Sequence, residues 1–172
     1  RNWLDIGAST GGFTDCLLKH GAAKVYSIDV GYGQLAWKLR QDPRVVVMER
    51  TNIRNVKKDD LGSPVNGAAI DVSFISLKLV LPVVSRLLTE DSPVLSLIKP
   101  QFEVERDEVG EKGVVREAGL HRRVVEEILE FALDMGWKIQ DLAFSPITGP
   151  KGNIEFLAYF WKGGGDGLSL TD

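Results

Sequence analysis

Trp3-Leu4-Asp5-Ile6-Gly7-Ala8-Ser9-Thr10-Gly11-Gly12-Phe13 is the stretch on which the fold turns. Trp3 to Ile6 is an apolar run broken only by one carboxylate, Gly7 to Gly12 is a glycine-rich turn, and Phe13 to His20 has helical character and stops at Gly21. A strand that passes through such a turn straight into a helix opens a βαβ unit. The glycines let a ligand approach the backbone, and the first amides of the helix point outward at it.

Working outward, strand-like and helix-like segments keep alternating, the pattern of a mainly parallel sheet with helices on both faces. Lys24 to Ile28 reads as strand two and ends at Asp29; Gln34 to Arg40 reads as a short helix before Pro43; Val45 to Met48 is strand three. Ala68 to Val72 is strand four, with Asp71 near its carboxyl end. The next helix is expected to begin near Leu79 rather than at Ser76, because Pro82 suits a first turn better than an interior. Val94 to Ile98 is strand five, and the charged stretch Glu103 to Glu117 is too polar to be core and is either an inert surface loop or a mobile lid. A long helix from about Leu120 to Met135 turns Val124, Val125, Ile128, Leu129, Ala132 and Leu133 to one side. Trp137 to Ser145 and Ile154 to Trp161 are the last strands, joined as a hairpin through Pro146 to Asn153, and Gly163 to Gly167 reads as a flexible tail.

A dinucleotide site would carry G-x-G-x-x-G, with a pyrophosphate over the helix N-terminus. Here the spacing is Gly7-x-x-x-Gly11-Gly12 with Asp5 ahead of it. A carboxylate there repels a pyrophosphate but can hold, directly or through water, the amino group of S-adenosylmethionine. The ligand therefore reads as S-adenosylmethionine. Asp29, at the end of strand two, is placed to accept hydrogen bonds from both ribose hydroxyls of its nucleoside. A nicotinamide-dependent oxidoreductase is the weaker alternative, and a plain strand-to-helix turn with no ligand the weakest.

Asp71 and Lys99 fall at the ends of strands four and five, on the carboxyl edge where open α/β sheets place their ligands. Glu155 is the one charged residue in Ile154-Glu155-Phe156-Leu157-Ala158-Tyr159-Phe160-Trp161, and a buried carboxylate needs a partner. Lys99 held between Asp71 and Glu155 would suit methylation of a ribose hydroxyl, as a cation beside the developing oxyanion or as a neutral amine taking its proton. Taken singly, each residue is as well explained as an ordinary strand-end charge.

At this point the chain resembles the TlyA-type ribosomal RNA 2'-O-methyltransferases, also called hemolysins, whose catalytic domain is similar to the FtsJ/RrmJ methyltransferases. The resemblance is carried by Asp5 to Asp15, Asp29-Val30-Gly31-Tyr32-Gly33-Gln34-Leu35, Glu49-Arg50-Thr51-Asn52-Ile53-Arg54, Asp71-Val72-Ser73-Phe74-Ile75-Ser76, Ile98-Lys99-Pro100-Gln101-Phe102-Glu103 and Gly152-Asn153-Ile154-Glu155-Phe156. It implies a Rossmann-like S-adenosylmethionine-dependent methyltransferase fold, with a mainly parallel seven-stranded sheet and an antiparallel last strand. It implies a Lys-Asp-Lys-Glu tetrad, whose last three members match Asp71, Lys99 and Glu155. Cofactor contacts are implied for Gly7, Ala8, Ser9, Gly11, Gly12 and Phe13, for Asp29 and Val30, for Asn52 and Ile53 near the adenine, and for Asp71. The substrate it implies is a cytidine ribose in ribosomal RNA, free or in a ribosomal subunit. The family's first lysine and its small amino-terminal S4-type RNA-binding domain belong upstream of strand one, so neither is expected within this chain. Residues 1–162 are then the methyltransferase domain.

Composition narrows the remaining classes. The 172 residues are 44% hydrophobic, enough for one core, and carry a net charge of -3, so any RNA contact needs a local patch. One cysteine and two histidines argue against a disulfide framework or a metal site and suit a reducing cytoplasm. Cys16 reads as a small core residue, His20 as belonging to its helix end, and His121 as structural or exposed. No apolar run is long enough to insert stably in a membrane. Two patches are candidates for phosphate contact: Lys38, Arg40, Arg44, Arg50, Arg54, Lys57 and Lys58, and a second edge from Lys112, Arg116, Arg122 and Arg123. A non-catalytic RNA- or ribosome-binding module and a membrane-acting hemolysin are the competing functions; oligomeric state is left open.

Overall fold

The computed structural model describes residues 1–163, so all but the first residue of the expected tail lies outside the described residues. Seven strands form one sheet: β1 (Asn2–Ile6), β2 (Lys24–Ile28), β3 (Val45–Met48), β4 (Ala68–Ile70), β5 (Ser92–Ile98), β6 (Trp137–Phe144) and β7 (Phe156–Lys162). Their spatial order is β3-β2-β1-β4-β5-β7-β6. All neighbours from β3 to β5 run parallel, and β7 lies antiparallel to both β5 and β6. This is the mainly parallel seven-stranded sheet with an antiparallel last strand that the resemblance implies. The order reverses between β1 and β4, which opens a crevice at their carboxyl ends.

The helices α1 (Gly12–Lys19), α2 (Trp37–Arg40), α3 (Leu77–Leu87) and α4 (Ala118–Asp134) divide between the two faces. Leu18, Leu35 and Leu39 pack with Val25 on one side. Val80, Leu81, Val84, Val124 and Ile128 cover Leu4, Ile28 and Ile70 on the other.

Several expectations are corrected. α3 begins at Leu77, not near Leu79, and holds Pro82 in its interior. An interior proline costs about 3 kcal/mol. Here the burial of Leu77, Val80, Leu81, Val84 and Leu87 offsets it. The first turn is also capped twice: Ser76 Oγ accepts from the Lys78 N–H at 3.1 Å, and Glu103 Oε1 accepts from the Leu77 N–H at 2.8 Å. The short second helix is a single turn from Trp37, and β4 ends at Ile70, just before Asp71. Cys16 is exposed rather than core, since the buried face of α1 is set by Thr14 and Leu18, one turn apart on the other side. Within the charged loop, Val114 and Val115 are buried, and the Asn153 side chain accepts from the Val115 N–H and donates to the Gly113 carbonyl, so the end of that loop is pinned to the core. His121 is structural, its Nε2 2.7 Å from the Val115 carbonyl oxygen.

Candidate active site

Apart from Glu155, from Asp5 within β1, and from Gly12 and Phe13 at the start of α1, the residues singled out for chemistry follow the carboxyl end of a parallel strand or sit in the loop beyond it. Glu155 reaches the same edge from the other direction, because β7 is antiparallel and its first residue, Phe156, pairs with Ile98 at the end of β5. A cleft of about 890 Å³ opens along this edge. Gly7, Ser9, Asp29, Val30, Asn52, Ile53, Asp71 and Lys99 line it.

The glycine turn is built by backbone demands. Gly7 has φ +80°, and a Cβ there would overlap the Asp71 carbonyl oxygen, so only glycine lets β1 leave the sheet beside β4. Gly11 has φ +102°, and a Cβ there would overlap Leu39 on α2. Gly11, Gly12 and Phe13 do not line this cleft, and Ala8 lines a small adjoining hollow with Ser9 and Asp29. Gly12 carries no such steric demand, as a Cβ there would meet nothing within 4 Å.

Asp5 is also absent from the cleft wall. It is fully buried beneath the turn, where Oδ2 accepts from Thr14 Oγ1 at 2.6 Å and Oδ1 has no partner. Burial pushes its carboxyl up to about 6, the Thr14 hydrogen bonds pull against it, and the charges of Asp71 and Asp29 add to the rise. Asp29 is half-buried: Oδ2 accepts from the Ser9 N–H and Oδ1 from the Gly31 N–H, both at 2.7 Å. Each oxygen keeps acceptor capacity for a further donor.

Lys99 Nζ stands 2.5 Å from Asp71 Oδ1 and donates to Ser73 Oγ at 3.2 Å, with only 11% of its side chain exposed. Glu155 is not its partner. It accepts from Gln101 Nε2 at 2.8 Å, two residues beyond Lys99 in the same turn, and is itself buried. The expected lysine between two carboxylates is therefore a Lys99–Asp71 pair beside a Gln101–Glu155 pair. Gly149 closes over the second pair, since a Cβ there would overlap Glu155 Oε2.

Residue-pattern reasoning passed over Thr14, Ser73, Gln101 and Glu103, although all four stand inside stretches quoted for the resemblance. It also passed over Phe74, whose ring is 90% exposed at the cleft, lies 4.8 Å from that of Phe102, and sits on a backbone with φ +64°. A left-handed backbone is a genuine outlier for so bulky a residue. No local pattern announces it.

The two basic patches separate once folded. Arg40 pairs with Glu49, and Arg44 with Asp42, which removes both from the first patch. Arg50 lies over the Tyr32 ring at 4.3 Å. In the second, Arg122 pairs with Glu126 and Arg123 with Glu108, which neutralises two of its four cations.

Comparison with known proteins places these features together. The model of the FtsJ-like methyltransferases matches residues 1–162. YqxC of Bacillus subtilis (strain 168), which carries an rRNA methyltransferase name, is 54% identical over 98% of this chain and 61% of its own length. The 16S/23S rRNA (cytidine-2'-O)-methyltransferase TlyA of Mycobacterium tuberculosis is 48% identical over 94% of this chain and 59% of its own. A solved structure from Streptococcus thermophilus, named among the hemolysins, superposes with a TM-score of 0.93 at 48% identity, covering 98% of this chain and 62% of that one. The chain thus spans about three-fifths of the length of these relatives.

Proposed function

This chain belongs to the FtsJ-like methyltransferase family, and on that premise we propose that it is the catalytic domain, residues 1–162, of an S-adenosylmethionine-dependent enzyme that methylates a ribose 2'-hydroxyl in ribosomal RNA. The observation that carries the chemistry is the Lys99–Asp71 pair, 2.5 Å apart in the wall of the cleft that also holds Asp29 and Asn52. The relatives' names point to a cytidine in ribosomal RNA as the target nucleoside; a cytoplasmic site of action on ribosomal subunits is part of the same proposal.

The residues present fit the cofactor. The cleft has room for a nucleoside, Asp29 retains acceptor capacity for its ribose, and the buried Asp5 Oδ1 is a spare acceptor beneath the turn. S-adenosylmethionine supplies the electrophilic methyl group on its sulfonium. Asp29, Val30, Asn52 and Ile53 hold the nucleoside end, while Gly7 and Ser9 line the path from there to Asp71. Asp5 acts from below, through the electrostatics of the turn.

Lys99 orients the nucleophile. An ammonium has three N–H donors. One faces Asp71 and one Ser73, which leaves the third for the 2'-oxygen as negative charge gathers there and the hydroxyl proton passes to solvent. Asp71 fixes the direction of that donor, and Gln101 with Glu155 braces the turn that carries Lys99. Among the described residues no helix is long and apolar enough to cross a membrane.

The test is transfer of labelled methyl from S-adenosylmethionine to ribosomal subunits, followed by mapping of the modified ribose. Lys99→Ala should lower transfer by about 10²-fold or more while cofactor affinity stays near wild type. Undiminished transfer by that variant, or a label found on a base carbon, would overturn the assignment.

A further inference from the structure

A second concavity of about 900 Å³ lies beside the cleft, between the 3₁₀ turns at Ile53–Asn55 and Lys58–Asp60 and the carboxyl-terminal end of α3. Its walls carry Arg54, Lys57, Lys58 and Arg86, and among the described residues no carboxylate lines it. None of these four cations forms an ion pair with a described residue, in contrast to Arg40, Arg44, Arg122 and Arg123. The carboxylates nearest in sequence are Asp59 and Asp60; Asp60 is turned to its own cap, where Oδ2 accepts from the Lys57 N–H at 2.8 Å.

The floor is rigid. Val56 and Leu87 are buried in the main core, so the charges stand on a packed base rather than on a loose loop. Arg54 lines both this groove and the catalytic cleft, and its N–H donates to Asn52 Oδ1 at 3.0 Å in the same turn. One short turn therefore presents Asn52 and Ile53 to the cleft, Asn55 to the groove, and Arg54 to both. On a chain whose net charge is -3, an acid-free groove with four uncompensated cations marks a site for an external polyanion.

We infer that this groove holds the phosphate backbone of the RNA beside the methylated nucleotide, with Lys57, Lys58 and Arg86 as its phosphate contacts. The inference rests on the functional reading above. Arg54 joins the groove to the catalytic cleft, so the strand leaves the cleft along this side of the molecule.

Counterion release makes the assignment measurable. Affinity of the protein for a ribosomal RNA fragment containing the modified site is measured against salt, for wild type and for the triple variant Lys57→Ala, Lys58→Ala, Arg86→Ala. Three lost phosphate contacts should make the slope of log affinity against log salt shallower by about 2 to 3. Calorimetry with S-adenosylmethionine, unchanged in the variant, shows that the fold is kept. An unchanged slope would overturn the inference, as would a loss of affinity for polyglutamate with RNA affinity intact, which would assign the groove to an acidic protein. Failure of the functional reading is visible separately, as absence of methyl transfer by the unsubstituted protein.

Discussion

Replacing Asp5 by asparagine should make the fold more stable near neutral pH. Asp5 is fully buried, and its carboxyl ionises near 6 rather than at its ordinary 3.8, chiefly because ionising it there forfeits hydration. A carboxyl that holds its proton more tightly in the fold than in the unfolded chain binds more protons in the native state between those two values, so stability falls as pH rises through that window. The stabilising difference is fully present below pH 3.8 and lost once pH passes about 6. At about 1.4 kcal/mol per pH unit, the ionised carboxylate costs the fold about 3 kcal/mol at neutral pH. Asparagine keeps the shape and never ionises. Urea unfolding of both proteins from about pH 4 to about pH 7 isolates the effect, since every other titrating group is common to the two. The advantage of Asp5→Asn should grow by about 3 kcal/mol across that range. A difference that stays constant with pH would refute the reasoning. On the proposal that Asp5 acts on the cofactor through the electrostatics of the turn, the same variant should hold S-adenosylmethionine less tightly above pH 6 than wild type does.

Three further outcomes follow from particular contacts. Gly7→Ala should destabilise the fold by at least about 2 kcal/mol, from its left-handed backbone and the overlap with the Asp71 carbonyl, with thermal unfolding as the measurement. Glu103→Ala removes the acceptor for Ser76 and for the Leu77 N–H, and should cost about 1 to 2 kcal/mol by urea unfolding; wild-type stability would show that the cap is redundant. At Phe74, where φ is +64°, glycine should be the better replacement than alanine by about 1 kcal/mol in stability; the opposite order would show that the left-handed conformation is not held in solution.

Local chemistry explains what could be read from the residues. The span from β1 to β3 was legible because glycine turns and short apolar runs report on their own neighbourhood, and the limits of β2 and β3 agree with the expectation residue for residue. Asp29 could be placed for the same reason, at the end of its strand. What escaped depends on contacts between distant segments. The start of α3 is set by Glu103, 26 residues from Leu77, and no reading of Pro82 alone could find that cap. Which carboxylate meets Lys99 is likewise a matter of three-dimensional reach: Asp71 follows a neighbouring parallel strand, while Glu155 enters from the antiparallel strand and meets Gln101 first. The charge patches followed chain position, so they included Arg54, Lys57 and Lys58 but left out Arg86. Arg86, from another helix, joins Lys57 and Lys58, while Arg40 and Arg44 are claimed by acids close by.

The Asp29 carboxylate, bound on one oxygen to the Ser9 amide and on the other to the Gly31 amide, has a kinetic consequence. It fastens the loop after β1 to the loop after β2 before any ligand arrives, so the entropy of arranging those loops is lost during folding and not at binding. Cofactor capture then needs little loop closure and its rate should approach that of a diffusional encounter with a preshaped wall, whereas an Asp29→Ala variant, which loses the fastening, should capture the cofactor more slowly as well as release it faster.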